Sequence, residues 1–319
     1  MLDYKIALMQ LLNQAQSHQT PMEQRHLNEC VGLYLAQNIQ AHHDIPLFDN
    51  SAMDGYAICL HTQPNSTDYQ IVGRIAAGDT GHQIQLKPGQ AARIFTGAPT
   101  PVGANAVIPQ ENTIVDDDLL MCQKPAQIGE HIRLRAEDVH VGQNILEQGR
   151  KLTPAALGLA ASQGYSTLPI HRRLRVTVFS TGNELLEPDQ ALTPAAIYDA
   201  NRYLLIAWLQ KLGCTVVDGG ILRDDSQTTC QSLQNAAQNS DIILTSGGAS
   251  VGEEDHLKAA VQQIGTLTQW KLAIKPGKPF AWGHIENCPV MILPGNPVAS
   301  FVTFKMLVEP AIQVMQGAQ

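Results

Sequence analysis

The chain has 319 residues, of which 44% are hydrophobic and 16% charged, with a formal net charge of −8. This length exceeds what one hydrophobic core usually serves, so it indicates two or three domains, and the composition excludes an intrinsically disordered chain. The acidic excess argues against a nucleic-acid-binding surface, because such surfaces use lysine and arginine to replace the counterions of the phosphate backbone.

Taken in chain order, the first predicted element is a helix. Apolar residues recur at helical spacing from Ala7 to Ala15, and Thr20-Pro21 then breaks the pattern. A second helix is predicted from Asn28 to Ile39. Between Pro46 and Asp138, short apolar runs are cut by glycine and proline, which predicts a β-rich domain with many turns.

The second half of the chain predicts alternating strands and helices. A helix from Leu152 to Gly164 has Pro154 in its first turn. From Leu174 onward strand, loop and helix alternate, which favours a parallel sheet covered by helices. The further predicted elements are strands 175–179, 215–217, 242–244 and 270–274, and helices 200–212 and 298–315.

Glycine-rich loops follow two of these strands. Ligands of parallel sheets sit where strands end, and glycines let backbone amides approach an anion there. One loop runs from Ser180 to Glu184, and the other runs from Ser246 to Gly252 and on to Asp255. Each loop alone is equally compatible with an ordinary turn whose carboxylates cap a helix. Neither has the glycine pattern of a Walker loop or a dinucleotide-binding turn.

Charged residues lie in the same half of the chain. Lys275 and Lys278 belong to a stiff, proline-rich turn with Lys271 nearby, an arrangement suited to holding a cation towards a phosphate. Asp224 and Asp255 offer the oxygen ligands that Mg²⁺ prefers. Taken alone, an exposed basic turn and acidic surface turns explain these residues at least as well.

The cysteines and the apolar segments indicate in which cellular compartment the protein is expected. The six cysteines show no CxxC pair and no zinc-type spacing, which favours free thiols in a reducing cytoplasm. The N-terminus lacks the basic start and apolar core of a signal peptide. No segment has 18 uninterrupted apolar residues, so we expect no membrane span.

A longer motif connects these observations. Residues 46–57, Pro-Leu-Phe-Asp-Asn-Ser-Ala-Met-Asp-Gly-Tyr-Ala, resemble the signature of the MoeA and gephyrin E-domain family of molybdopterin molybdenumtransferases. The resemblance continues, in order, through residues 73–78, 93–99, 180–185, 246–248, 275–279 and 293–297. Ordered motifs over the whole chain make the resemblance highly specific.

The resemblance implies a multidomain α/β and β fold. Its parts would be an elongated linker and dimerisation domain (1–21, 40–49 and 139–171), an inserted β-rich domain (22–39 and 50–138), and a three-layer α/β molybdopterin-binding domain with a mostly parallel sheet (172–319). The family usually continues into a C-terminal β-barrel domain, which we expect to be absent here.

The resemblance also implies a reaction: insertion of molybdate into adenylylated molybdopterin with release of AMP, dependent on Mg²⁺. It implies a cytoplasmic homodimer whose active site crosses the interface. The expected partners are the upstream molybdopterin adenylyltransferase and the recipient molybdoenzymes, with neither nucleic acid nor membrane.

Site residues follow by motif from the resemblance. The catalytic residues would be Asp54, Thr96, Glu184, Asp224, Asp255, Lys271 and Lys275. Among these, Glu184, Asp224 and Asp255 would hold the metal. The pterin and its phosphate would be bound by Thr181, Gly182, Ser246, Gly247, Gly248, Ser250, Gly252, Lys278, Pro294 and Pro297. Asp54-Gly55 is also a favoured turn pair, which is the competing explanation for that position.

Two other functions remain open from the sequence. The α/β part alone resembles the adenylyltransferases of the preceding step, but these lack the motif at 46–57 and the β-rich insertion. A non-catalytic scaffold of the same fold is the second alternative, although no long linker or additional partner-binding domain is visible in the sequence.

Overall fold

The computed structural model describes residues 1–60, 66–80, 83–249 and 256–319. They form two compact units, one of Met1–Asn38 with Leu146–Gln319 and one of Ile39–Ile145. More than one domain was expected from the chain length. The finer division into three domains, with the boundaries given above, stays a prediction.

The N-terminal segment contains one of the two predicted helices. Helix α1 covers Tyr4–Gln16 and begins at Asp3, whose carboxylate accepts a hydrogen bond of 2.8 Å from the Lys5 backbone N–H. Strand β1 covers Met22–His26. The helix predicted from Asn28 to Ile39 is wrong. Beyond a short 3₁₀ turn the chain is not helical, because Gly32 has a φ of +79° and the Leu35 N–H bonds the Arg150 carbonyl instead.

The Ile39–Ile145 unit is β-rich, as predicted. The strands of the region are β2 (Ile39–Gln40), β3 (Asn50–Ser51), β4 (Gly55–Ile58), β5 (Asp68–Ile75), β6 (Gln90–Ile94), β7 (Ala106–Pro109), β8 (Thr113–Asp116), β9 (Leu119–Cys122), β10 (Ile132–Arg133) and β11 (Asn144–Leu146). Six of them form one sheet in the order β7-β4-β6-β5-β9-β8. Separate apolar clusters, one with Ala57 and Ile94 and one with Ile58 and Ala91, lie on its two faces.

The remaining chain alternates strands and helices. Strand β12, Thr167–His171, pairs with β1 in antiparallel fashion. The elements around it are α2 (Pro154–Ser162), β13 (Arg175–Thr181), β14 (Leu185–Leu186), β15 (Ile197–Tyr198), α3 (Asn201–Lys211), β16 (Thr215–Leu222), α4 (Ser226–Asn239), β17 (Ile242–Ser246), α5 (His256–Ile264), β18 (Gly265–Lys271), β19 (Pro279–Ile285), β20 (Cys288–Leu293), α6 (Pro297–Thr303) and α7 (Glu309–Met315).

A six-stranded sheet organises this unit in the order β16-β13-β17-β20-β19-β18. The first four strands are parallel, and β19 is antiparallel to both of its neighbours, β20 and β18. Five of the six strands therefore run in the same direction, and the sheet is mostly parallel. Ile242 and Leu244 face an apolar cluster with α1, α3 and α7, whereas Ile243 faces α4 and α5. Helices therefore cover both faces, in three layers.

One predicted strand lies mostly in a loop, whereas the strands predicted at 175–179, 215–217 and 242–244 extend further in the structure. The strand predicted at Trp270–Ile274 ends at Lys271, which pairs with Pro279. The chain then turns, and the Leu272 N–H donates to the Lys278 carbonyl at 2.7 Å. Residues 272–278 are therefore a loop, because the proline-rich turn needs its own backbone hydrogen bonds.

Helices α6 and α7 are joined by a π-helical turn, Phe304–Val308, into one apolar stretch. Among the described residues this stretch, Pro297–Met315, is the one long and apolar enough to cross a membrane by length and composition. Half of its most apolar window is buried inside the protein, and Phe304 and Ile312 are completely buried. This burial is typical of a core helix.

All six cysteines are free thiols, and all but Cys230 are buried. Burial raises the pKa of Cys214 to about 12 and that of Cys288 to about 12. Burial likewise raises the pKa of Cys122 to about 11. These thiols pack as small apolar side chains.

Candidate active site

Four parallel strands end side by side at one edge of the α/β sheet. Thr181 pairs with Leu222, Ser180 with Ser246, and Ser246 with Leu293. The loops that follow β16, β13, β17 and β20 therefore begin next to one another. These strand-end loops carry most of the residues that the sequence singled out.

The loop after β17 is built on glycines. Gly247 and Gly248 have φ values of +98° and +74°. A Cβ atom on Gly247 would lie 2.5 Å from the Thr181 Oγ1 and 2.9 Å from its carbonyl oxygen, so only glycine fits there. Ser246 before them is buried. The predicted site residues Ser250, Gly252 and Asp255 lie outside the described residues.

The loops after β13 and β16 are tied together by Arg223. Its guanidinium donates to the carbonyls of Gly182, Asn183 and Leu185 at 3.1, 3.1 and 3.0 Å. The Asp224 N–H donates to the Asn183 Oδ1 at 3.2 Å. The predicted residues Thr181, Gly182 and Asp224 are thus on adjoining loops, and Arg223 is a residue that the sequence reasoning missed.

Two carboxylates at this edge are exposed. The Glu184 carboxylate folds over Gly182, since a Cβ atom on Gly182 would lie 2.4 Å from the Glu184 Oε2. Asp224 is also exposed, whereas its neighbour Asp225 caps α4 by accepting from the Thr228 N–H at 2.7 Å. Bonding to Thr228 lowers the pKa of Asp225. Asp225 is therefore engaged in the helix, and Glu184 and Asp224 face solvent.

A buried cation lies beneath the same loops. The side chain of Arg202 is only 3% exposed and pairs with Asp199, Glu187 and Asp218. Its guanidinium donates hydrogen bonds to both carboxylate oxygens of Glu187, each at 2.6 Å. Asp199 in turn accepts from the Ser180 hydroxyl at the end of β13. This network fixes the segment that carries Glu184.

The loop after β20 starts a helix. Pro294 is buried, Asn296 caps α6 by accepting from the Ala299 N–H at 3.1 Å, and Pro297 occupies the first turn. The side-chain amide of Asn201, at the start of α3, donates to the Gly295 carbonyl and the Ser246 hydroxyl. Neither Asn201 nor Arg202 was singled out from the sequence. The available signal was the cluster of polar residues at the start of the predicted helix, Asp199, Asn201 and Arg202.

The three predicted lysines are exposed near the same sheet edge. Lys271 ends β18, and Lys275 and Lys278 lie in the 272–278 loop. This loop is anchored, because the Ala273 N–H donates to the Leu2 carbonyl at 2.8 Å. Gly277 has a φ of +105° and packs against Thr303. A pocket of 430 Å³ is lined by Lys271, Trp270, Gln269 and Ala249, among others.

Asp54 and Thr96 meet in the Ile39–Ile145 unit. One oxygen of the Asp54 carboxylate accepts from both the N–H and the hydroxyl of Thr96, each at 2.8 Å. The hydrogen bond from the Thr96 backbone N–H is the largest cause that lowers the pKa of Asp54. The Thr96 hydroxyl comes second, and the Arg93 charge makes a smaller contribution. Asp54 is exposed, so a fully ionised carboxylate faces solvent.

The backbone behind Asp54 is tightly packed. A Cβ atom on Gly55 would lie 1.9 Å from the Ile108 carbonyl oxygen on the neighbouring strand. Arg93 donates to the Gly55 carbonyl at 3.1 Å and to the Gln110 Oε1 at 2.6 Å. Close packing therefore explains Gly55, which lies in strand β4, while the Asp54 carboxylate remains accessible. The catalytic role of Asp54 stays a prediction.

The donor set at the sheet edge fits a hard divalent cation. Glu184 and Asp224 present exposed carboxylate oxygens on adjoining loops, and Mg²⁺ typically takes one or two carboxylates and keeps several waters. Within the described ranges, no three His, Cys, Asp or Glu side chains form a metal-binding group. Asp255, the third predicted ligand, is beyond these ranges.

Both parts of the chain match models of known protein families. Residues 2–164 match the MoeA N-terminal region (domain I and II), and residues 177–314 match a probable molybdopterin binding domain. Over 299 residues the chain is 41% identical to the molybdopterin molybdenumtransferase of Haemophilus influenzae, covering 93% of this chain and 74% of that protein. The chain belongs to the molybdopterin molybdenumtransferase family. It is therefore a transferase of molybdenum cofactor biosynthesis, as the resemblance predicted.

Other molybdopterin molybdenumtransferases and solved structures agree. Molybdopterin molybdenumtransferase 2 of Mycobacterium tuberculosis is 36% identical over 301 residues, covering 91% of this chain and 74% of that protein. The crystal structure of the molybdopterin biosynthesis MoeA protein of Pyrococcus horikoshii superposes with a TM-score of 0.82 at 28% identity. That match covers 100% of this chain and 80% of the other. The multidomain α/β and β fold is thereby confirmed.

Proposed function

We propose that this molybdopterin molybdenumtransferase inserts molybdate into the dithiolene of adenylylated molybdopterin and releases AMP, with Mg²⁺ required. The observation that carries the proposal is the convergence of four strand-end loops and three exposed lysines at one sheet edge. Molybdate and the phosphoanhydride are both anions, in a protein whose net charge is −8. Bringing them together requires local positive charge and oriented dipoles.

The backbone of the strand-end loops supplies the oriented dipoles. Gly247 and Gly248 have no side chains of their own to cover the backbone amides, and both residues have positive φ. Successive amides in such a conformation form a concave anion site. We assign the pterin phosphate to these glycines together with Thr181, Gly182 and the Pro294–Pro297 turn.

The lysines supply the mobile positive charge. Lys271, Lys275 and Lys278 have exposed side chains; Lys271 ends β18, and the other two lie on the following loop, whose backbone is anchored to Leu2. Their ammonium groups can swing towards a phosphate or molybdate while the loop stays in place. We assign Lys271 and Lys275 to the reacting anions and Lys278 to the bound substrate.

Glu184 and Asp224, with Asp255, are the proposed ligands of Mg²⁺. When bound there, the metal would neutralise the phosphoanhydride and so assist the departure of AMP. Arg223 and Arg202 keep the two loops that carry these carboxylates in a fixed arrangement. The backbone positions of Glu184 and Asp224 are therefore fixed before a cation binds.

Asp54 and Thr96 belong to the second half of the proposed site. Following the family resemblance, we assign them to the site of the partner subunit, which makes the active unit a homodimer. The substrate would come from a molybdopterin adenylyltransferase and the product would pass to molybdoenzymes, all in the cytoplasm. The ionised Asp54 carboxylate, held by Thr96, would position a proton donor of the substrate or its attacking water.

Reconstitution with defined substrates tests the proposal. Purified protein is mixed with adenylylated molybdopterin, molybdate and Mg²⁺, and AMP release and active cofactor are measured together. We expect both, and we expect chelation of Mg²⁺ to stop both. Formation of adenylylated molybdopterin from molybdopterin and ATP, without cofactor formation, would instead support the adenylyltransferase. The absence of any turnover would contradict the enzyme proposed here.

A further inference from the structure

Two strand-end loops lie against each other with almost no side chains between them. Ser246 and Leu293 are paired residues at the ends of β17 and β20, and the Gly247 N–H donates to the Leu293 carbonyl at 3.0 Å. Gly247 and Gly248 follow Ser246, and Gly295 follows Pro294 in the other loop. A Cβ atom on Gly295 would lie 3.6 Å from the Gly247 Cα. The two backbones are therefore in direct contact.

Such a contact is intrinsically weak. Glycine has the largest conformational freedom to lose, and it contributes no side chain that could pack in return. Gly247 and Gly248 are also the residues proposed to bind an anion through their amides. Accurate placement of those amides requires another group to hold the loops together.

Asn201 provides a connection between the two loops. Its Nδ2 donates to the Ser246 Oγ at 2.7 Å and to the Gly295 carbonyl oxygen at 2.7 Å. A carbonyl can only accept a hydrogen bond, so the amide must turn its NH₂ group towards Gly295. Both N–H bonds of the amide are then used, one on each loop.

A purely helical role does not explain Asn201. The N-cap residue of α3 is Ala200, and the side chain that accepts from the first turn is the Asp199 carboxylate, which bonds the Arg202 N–H at 3.2 Å. Asparagine is a poorer residue than alanine inside a helix. The adjacent residue, Arg202, fixes the loop after β13 through Glu187, so consecutive residues of α3 reach different strand-end loops.

We propose that Asn201 is a positioning residue of the molybdopterin site. Its amide clamps the Gly247–Gly248 loop to the Pro294–Pro297 turn and so sets the spacing of the backbone groups that bind the substrate. The inference rests on the proposed function for its ligand, but the clamp itself is a property of the free protein.

Kinetics of three variants test the effect on the ligand. Asn201→Ala removes both bonds, and Asn201→Asp keeps the shape but places a carboxylate against the Gly295 carbonyl. Because the clamp acts in the ground state and transition state alike, we expect both variants to raise the KM for adenylylated molybdopterin by about tenfold with little change in kcat. The control is Asn239→Ala, which removes the hydrogen bond that the Asn239 side-chain amide donates to the Asn235 carbonyl at the far end of α4.

Aspartate separates a clamp from a packing role. If Asn201 acted only by filling space, Asn201→Asp would restore the wild-type KM. The clamp requires that Asp be no better than Ala, because it offers no donor at neutral pH. A wild-type KM in Asn201→Asp, or in Asn201→Ala, would overturn the proposal.

Hydrogen exchange tests the clamp without turnover. In the full-length protein, peptides containing residues 245–249 and 293–297 should exchange faster in both Asn201 variants and at the wild-type rate in Asn239→Ala. Unchanged exchange in either loop would overturn the clamp. If wild-type protein shows no molybdenumtransferase activity, the proposed function fails, while these exchange rates still decide the role of Asn201.

Discussion

The two halves of the proposed site are prepared in different ways. In the Ile39–Ile145 unit a side chain is fixed, because Thr96 gives two hydrogen bonds to one oxygen of Asp54. In the α/β unit the backbone is fixed and the charged side chains are exposed, as at Glu184 and Lys275. The first half offers one preformed carboxylate. The second offers a rigid backbone surface and leaves its charges free to follow the ligand.

The largest effect is expected at the fixed side chain. Asp54→Ala should reduce turnover by about 100-fold or more, since removal of a positioned acid–base group typically costs this much. The thermal midpoint should hardly change, because the side chain is exposed and the freed Thr96 groups can bond water. Cofactor formation and calorimetric unfolding measure the two quantities. A large loss of stability with little loss of turnover would support the turn explanation for Asp54.

Mixed dimers sharpen this result. Asp54→Ala and Glu184→Ala would each be inactive as homodimers if both residues are needed. When subunits are exchanged, a site shared across the interface leaves one intact site in each mixed dimer, and part of the activity returns. If each site belonged to one subunit, mixing would restore nothing.

An intermediate effect is expected at the fixed backbone. Gly247→Ala should raise the KM for adenylylated molybdopterin and lower the free energy of unfolding, because the added methyl group would overlap Thr181. The matched control is Gly164→Ala, with a φ of +81° but no atom within 4 Å of the new Cβ. Both changes carry the left-handed backbone cost of about 1–2 kcal/mol. Urea unfolding should show a further loss in Gly247→Ala alone; equal losses would mean that the Thr181 contact yields easily.

The smallest effect is expected on the titration of Asp54. Thr96→Val keeps the backbone N–H but removes the hydroxyl donor, so the pKa of Asp54 should rise towards its ordinary value of 3.8. Because the pKa of Asp54 is lower in the folded protein, its ionisation stabilises the fold at pH values above the ordinary pKa. This contribution is lost as the pH falls through the folded-state pKa. Carboxyl NMR titration of wild-type and Thr96→Val protein measures the change. An unaltered pKa would show that the backbone bond alone holds the charge.

The sequence predicted the edge of the sheet better than the residues that organise it. Apolar runs such as Ile242–Leu244 are followed closely by glycine-containing loops, and parallel strands bring such ends together, so the grouping of the strand-end loops followed from general rules. Asn201 and Arg223 were missed because their partners are distant in sequence. Arg202 has Asp199 nearby, but its contacts with Glu187 and Asp218 depend on the fold. A polar residue in a helix or turn looks the same whether it faces water or holds a neighbouring loop.

Two local predictions failed for a related reason. The apolar spacing from Asn28 to Ile39 suits a helix, yet Leu35 bonds Arg150, more than a hundred residues away. The strand predicted to Ile274 stops at Lys271, because the turn between β18 and β19 satisfies its own backbone. Tertiary hydrogen bonding outweighed local preference at Leu35, and the hydrogen bond within the proline-rich turn did so after Lys271. Apolar periodicity reports neither kind of bond.

The buried thiols have a consequence for the chemistry of sulfur. At neutral pH Cys122, Cys214 and Cys288 stay protonated, and a thiol is neither a good nucleophile nor a good metal ligand. The proposed substrate carries a dithiolene, two sulfur atoms that must receive molybdenum without exchanging with other thiolates. These three buried thiols would therefore not compete with the pterin for the incoming metal.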